Sequence, residues 1–333
     1  MEKKFSLKKL ASSREMSLVI VLVLLCAFVQ LRGGNFLSVK VITDMLKNYS
    51  ITMILSLGMM CVLLIGGIDI SIGSTLALSG MVMALQMRDG VITNTIVGFG
   101  LAALVGLVCG VIIGLVTTKG KVPPIIVTLG FMNIYRGITY LVANSQWVAA
   151  YQIPEEFKNF AQSNTLTFGL MNNLITIMVI CYIIFFIIMK WIRLGRKIYA
   201  VGSNADAAQV SGIRIDQIKI IVYSVMGVLC GLAGAMWVSV YASAQGDMAT
   251  GIEMDVIASC VIGGVSLSGG RGSVVGVFLG SLTMAIIGKS LPLIGVSQFW
   301  QSAIKGIIIL VAIIINVLTA RVLDKNNLQG REM

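Results

Sequence analysis

The chain is expected to be an all-α polytopic membrane protein of about ten transmembrane helices, N-in and C-in, with some spans short or broken. Three observations predict this. The 333 residues are 57% hydrophobic and only 12% charged, where soluble domains average about 25% charged. Apolar runs near the ~20 residues that cross a hydrocarbon core recur along the whole length. Lysine and arginine fall unevenly between alternate loops, as they do in oriented membrane chains.

Ten segments can be marked, at 16–31, 50–65, 72–87, 94–117, 125–143, 168–189, 217–240, 256–267, 274–289 and 303–318. The first follows a basic stretch, MEKKFSLKKLASSRE, and has no A-x-A-like cleavage site, so it reads as a retained span. The second, third and eighth are short for a spanning helix, which in transporters marks broken or tilted helices around a protein-enclosed path. Between the second and third lies GGIDISIGS, 66–74, where one aspartate interrupts a greasy run. The fourth carries Gly106, Gly110 and Gly114, the seventh Gly227 and Gly231, and Gly272, just before the ninth, repeats at Gly276 and Gly280 within it. Small residues four apart share a helix face and let backbones approach closely.

With the N-terminus inside, seventeen basic residues face inward: Lys3, Lys4, Lys8, Lys9, Arg14, Lys119, Lys121, Lys190, Arg193, Arg196, Lys197, Arg214, Lys219, Arg271, Arg321, Lys325 and Arg331. Six face outward: Arg32, Lys40, Lys47, Arg88, Lys158 and Lys289. The chain therefore divides into a basic cytoplasmic N-terminus (1–15), one transmembrane unit (16–320) with an inner loop at about 190–216, and a cytoplasmic tail (321–333). Topology also accounts for the net charge of +11, so no nucleic-acid partner is expected.

Several chemistries are excluded. There is no histidine, which removes Ser-His-Asp catalysis and the commonest zinc ligand. The six cysteines all lie in apolar runs without a C-x-x-C pair, so neither disulfides nor thiolate metal sites are expected. A phosphate-binding G-x-x-x-x-G-K-[ST] loop fails at Leu115 and Val122 before and after Gly120-Lys121, and at Thr283 before Gly288-Lys289-Ser290. No bound cofactor and no metal are expected.

The remaining candidates are polar groups in unusual places. Asp69 and Ser71 can accept from and cap the freed amides of the third segment, and Asp69 can equally anchor an inner gate by pairing with a base; the structural reading is preferred to a substrate-binding one. Arg136 lies twelve residues into the fifth segment, with Asn133 one turn before, and an arginine so deep requires a cavity or a partner. Lys305, near a span end, needs only to snorkel. Glu253 and Asp255, at the outer mouth of the eighth segment, either complement a helix start or line a gate. In the inner loop, Gly202-Ser203-Asn204 precedes ADAAQV and Gly212: an N-cap at Ser203 or Asn204, a short helix and a terminator. That loop either anchors on anionic lipid or docks a cytoplasmic partner. The outer loop 144–167, with Trp147, Tyr151, Glu155 and Glu156, either receives an extracellular partner or is an interfacial loop with aromatic anchors.

Four stretches together resemble one family. GGIDISIGS (66–74), KVPPIIVTLGFMNIYRGITYL (121–141), GRKIYAVGSNADAAQVSGI (195–213) and GIEMDVIASCVIGGVSLSGGRGSVVG (251–276) are similar, in that order, to signatures of the sugar-importing ABC permeases of the ribose, xylose, galactose and autoinducer-2 type. The resemblance implies a type II importer-like permease in a bacterial inner membrane. It implies a homo- or heterodimer of permease chains, a cytoplasmic ATPase that binds ATP and Mg, and an external sugar-binding protein. It places an ATPase-coupling helix at Gly202, Ser203, Asn204, Ala207, Ala208, Ser211 and Gly212. It leaves Asp69, Ser71, Asn133, Arg136, Glu253 and Asp255 as path or gating candidates. SLPLIGV stands where many relatives have NGL-type residues, which leaves the sugar open. The alternatives are a branched-chain amino-acid or nucleoside ABC permease, and an ion-coupled secondary transporter.

Overall fold

The computed structural model describes residues 14–293 and, beyond them, 295–297, 300–301, 303–308, 310–311 and 313–314. The basic stretch before residue 14 and the tail 321–333 lie outside the described residues. Twelve helices are named here: α1 (Arg14–Gly33), α2 (Val39–Leu64), α3 (Ile72–Arg88), α4 (Thr95–Lys119), α5 (Pro124–Val142), α6 (Glu155–Phe160), α7 (Asn173–Trp191), α8 (Arg193–Ser203), α9 (Ala205–Val210), α10 (Ile215–Tyr241), α11 (Ile252–Ile262) and α12 (Val274–Leu293). Further helical residues run between 300 and 314. Among the described residues the only β pairing is an isolated bridge, Val148 with Ala244.

Six helices, α2, α4, α5, α7, α10 and α12, are long and apolar enough to cross a membrane, and 18–32 forms a shorter apolar helix. With α3 and α11, the first nine expected segments each fall on a helix, and the described residues of the tenth, up to 314, are helical; 315–318 lie outside the described residues. The largest difference is α2. Its apolar part begins at Ser50, but the helix starts at Val39, where Ser38 accepts from the Val41 amide as N-cap. The first three turns read as loop in the sequence because they are polar. From Ser50 to Leu64 every residue is buried, which explains a helix apolar on all sides: it runs through the middle of the bundle.

The long α10 is the other central element. It packs along α4 through a seam of glycines, where a Cβ on Gly106 would overlap the Gly227 carbonyl and one on Gly231 the Ala102 carbonyl. Without a solvent-driven force between spans, such close backbone contact supplies the packing attraction. Gly276 and Gly280 of α12 meet Gly263 and Ser259 in the same manner. Several buried hydroxyls are satisfied on their own helices: Ser56 donates to Thr52 O, Ser79 to Thr75 O, Thr118 to Gly114 O and Thr139 to Tyr135 O. This four-residue back-bonding lets polar residues sit in apolar spans.

The outer loop is a folded piece. Phe157 of α6 is fully buried, and its carbonyl accepts from Ser239 of α10 at 2.7 Å. Phe99 of α4 stacks against both Phe157 and Phe160.

An inner glycine joint and an outer polar cavity

The inner site is built where three separated turns touch. At the end of α2 the Leu64 carbonyl has no partner in its own helix, a need common to all helix C-termini. The Gly270 amide donates to it at 2.9 Å. Gly202, in the last turn of α8, lies against the same carbonyl so tightly that a Cβ there would overlap Leu64 O and come 2.7 Å from the Gly270 nitrogen. The Tyr199 hydroxyl, one turn earlier on α8, donates to Gly272 O at 2.8 Å. Backbone therefore meets backbone at one point, and only glycine fits at 202.

On one side of this joint the chain continues into α9. Asn204, at its N-cap, accepts from the Ala207 amide at 2.9 Å, and Gly212 ends it with φ +80°. Ala208 is 4% exposed and holds α9 on the body of the protein, whereas Val210 is 90% exposed. Asp206, Ala207, Gln209 and Ser211 also face outward. An apolar side chain so exposed on a six-residue helix presents a contact surface.

On the other side the chain runs from Leu64 through Gly66, at φ +75°, to Asp69, which is 3% exposed. Its Oδ1 accepts from the Ser71 amide at 2.9 Å and from the Ser71 hydroxyl at 2.6 Å. Asp69 thus closes a local turn. Ser71 occupies the N-cap position of α3 but makes no side-chain cap, its backbone being helical at φ −78° and ψ −4°, where capping residues are typically extended. Thr128 of α5 donates to Ile68 O at 3.3 Å, and the Tyr223 hydroxyl of α10 lies beneath Gly67, 2.6 Å from where a Cβ would stand.

The outer site begins at Ala244. From its bridge with Val148 the chain descends into the bundle, where Arg136 Nη1 donates to Gly246 O at 2.7 Å and Met248 O at 2.9 Å. Arg136 lies six residues before the end of α5, about 9 Å along the helix at ~1.5 Å per residue. Its charge is met by two carbonyls that a re-entering backbone leaves without helical partners. Ala249 and Glu253 then pack on the start of α3: a Cβ on Gly73 would come 2.7 Å from Ala249 O and 3.1 Å from Glu253 Oε2. The 11-residue α11 starts there, so its length of about 16 Å spans half of a ~30 Å hydrocarbon core. Asp255 pairs with Lys305 at 2.8 Å, both side chains about three-quarters buried.

The cavity above this segment has a volume of about 730 Å³ and includes Asn48, Thr52, Trp237, Tyr241, Asp255 and Lys305 in its lining. A second recess of about 430 Å³ shares Trp237 and Tyr241 and is walled by Ser243, Gln245 and Asp247.

Comparison with known proteins fixes what this arrangement belongs to. Residues 41–313 match the model of the branched-chain amino acid transport system / permease component family. The chain belongs to that family. It is 36% identical over 309 residues to the ribose import permease protein of Escherichia coli (strain K12), covering 91% of this chain and 93% of the relative. It is 37% identical over 295 residues to the ribose import permease protein of Bacillus subtilis (strain 168), covering 89% and 90%. It is 31% identical over 312 residues to the autoinducer 2 import system permease protein of Photorhabdus luminescens, covering 92% and 91%. No solved structure matches the chain.

Within this permease the expected site residues separate into three groups. Gly202, Ser203 and Asn204 belong to the joint and the cap of α9, and Ala207 and Ser211 to its outward face; Ala208 faces inward. Asp69 and Ser71 form the turn beyond the joint, while Arg136, Glu253 and Asp255 build the outer segment. Asn133 is exposed on α5 and donates only to Leu129 O of its own helix, at 3.1 Å. Sequence reasoning did not find Trp237, Tyr241 and Asn48. The available signal was an aromatic pair four apart at the outer end of a span. Lys305, expected to snorkel, is instead the ion-pair partner of Asp255.

Proposed function

We propose that this chain is the membrane permease subunit of an importer driven by ATP hydrolysis on a partner ATPase. Its cargo is a monosaccharide or related small sugar of the ribose, xylose, galactose, rhamnose or autoinducer-2 class. The observation that carries the reading is the inner joint: an exposed surface helix whose root is locked, backbone to backbone, to the broken end of a central span.

The chain itself breaks no bond and binds no cofactor in this account. ATP and Mg sit on the ATPase, which grips α9 through Asp206, Ala207, Val210 and Ser211. When nucleotide closes the ATPase, α9 moves and Gly202 carries the displacement to Leu64 and Gly270 without slack, since no side chain lies between them. From Leu64 the displacement reaches the Asp69 turn and α3, whose Gly73 touches the segment under the outer cavity. A decisive switch between inward and outward access requires about 5.5 kcal/mol of differential nucleotide binding. An external sugar-binding protein delivers the cargo, and a second permease chain, identical or related, completes the path. The names of the ribose and autoinducer 2 relatives favour sugar over amino acid, although the family's own description names the latter.

Ala207→Arg and Val210→Glu test this directly, since both positions are exposed and tolerate substitution in the fold. Each variant is expected to insert and reach wild-type levels yet fail to co-purify with the partner ATPase. Undiminished co-purification and sugar uptake in both would overturn the docking assignment.

A further inference from the structure

We propose that the outer cavity between α2, α10 and the start of α11 is a binding site for one neutral sugar ring, held while it passes from the external binding protein into the permease. The inference rests on the importer reading and adds the place and chemistry of the cargo site.

Four features of the cavity select this ligand class. Trp237 and Tyr241, four apart on α10, stand with ring centroids 4.7 Å apart and planes inclined at 43°. Packed against each other, the two rings form one apolar wall of the cavity, on which the C–H face of a sugar ring can lie. Around them Asn48 offers a donor and an acceptor and Thr52 a hydroxyl, while Asp255 and Lys305 supply a carboxylate and an ammonium. Sugar hydroxyls both donate and accept, so a mixed set of this kind satisfies them. The Asp255–Lys305 pair is closed at 2.8 Å, leaving these two charges balanced, so the cavity favours an uncharged polyol over an anion or a metal ion. Its volume of about 730 Å³ lies within the ~300–1,000 Å³ of small-molecule sites.

The position fits passage as well as binding. The floor is the re-entering segment held by Arg136, and irregular backbone at that depth is tolerated where it lines a cavity. The half-length α11 begins at the same level, and in transporters discontinuous helices of this kind surround the cargo. Tyr241 is half-exposed and borders both recesses, so a ring stacked there is reachable from outside. The floor also touches Gly73 of α3, which connects the occupied cavity to the turn that the inner joint displaces.

The test measures equilibrium binding of radiolabelled D-ribose, D-xylose, D-galactose and L-rhamnose to the purified permease in nanodiscs. Uptake of the same sugars by the permease reconstituted with its neighbouring ATPase and binding protein is measured in parallel. Trp237→Leu keeps apolar bulk and removes the flat face, and Asn48→Ala alters an exposed position without disturbing packing. The sugar that is taken up should bind the wild-type permease saturably, and each variant should bind it roughly tenfold more weakly or worse. Wild-type affinity in both variants, or uptake by the full system with no sugar binding to the permease, overturns the cavity while leaving the importer reading intact. If the full system takes up neither any of the four sugars nor autoinducer-2, the cavity proposal and the sugar assignment fall together.

Discussion

Asp69 shows how a single costly charge is accommodated. A carboxylate so buried is tolerated because the next turn supplies two donors, the Ser71 amide and hydroxyl, both on Oδ1. Asp69 is therefore the clasp of a turn. Asp69→Asn retains an oxygen acceptor and should keep uptake within about twofold of wild type, a change worth well under 1 kcal/mol. Asp69→Ala leaves both donors without a partner and should lower stability by about 1–3 kcal/mol, read as a lower unfolding temperature of the purified complex. The Tyr223 hydroxyl has no hydrogen-bond partner among the described residues, so Tyr223→Phe should leave that temperature unchanged or raise it. Asp69 itself was legible in the sequence as a turn-forming residue. That Ser71 adopts a helical backbone and makes no cap was not, because both readings use the same two residues at the same spacing.

At the scale of elements, the sequence pattern located all ten apolar segments but not how far they extend. Polar flanks hide helix, as in the outer turns of α2. A compact helix also hides in the inner loop, where α8 runs through Gly202 and Ser203, whereas the short helix α9 that follows was readable from its cap and its terminator. The glycine runs of α4 and α10 were readable as close-packing faces, but that they meet each other, while Gly276 and Gly280 meet α11, is read from the structure. Gly227→Val should therefore drive α4 and α10 apart and cost at least about 1–3 kcal/mol, the range for overpacking a filled core. Gly100→Ala on the same α4 meets nothing within 4 Å; it should be neutral or stabilising by up to about 1 kcal/mol, since alanine favours helix over glycine. Thermal unfolding of the two variants side by side checks the seam.

At the scale of the molecule, the contact of Leu64, Gly202 and Gly270 was not legible at all. Each belongs to a stretch that the sequence singled out, but no local pattern says that backbones 138 and 68 residues apart in the chain meet at one carbonyl. The same holds for the outer cavity, whose walls come from α2, α10, α11 and the helical residues after 300. The joint makes α9 and the broken end of α2 move as one, so Gly202→Ala should uncouple the importer. Uptake should fall by at least about tenfold, equivalent to ~1.4 kcal/mol or more, while the basal ATPase activity of the assembled complex persists. Gly212→Ala, strained at φ +80° but away from the joint, should cost about 1 kcal/mol of stability and leave coupling intact.

The central claim is that nucleotide on a partner subunit, and no ion gradient, drives sugar through this chain. It is tested most directly in vesicles that hold the permease and its ATPase, with the binding protein and labelled sugar outside. Accumulation should require ATP inside the vesicle and continue when proton and sodium gradients are dissipated with ionophores. Uptake that proceeds without ATP and collapses with the gradients would contradict it.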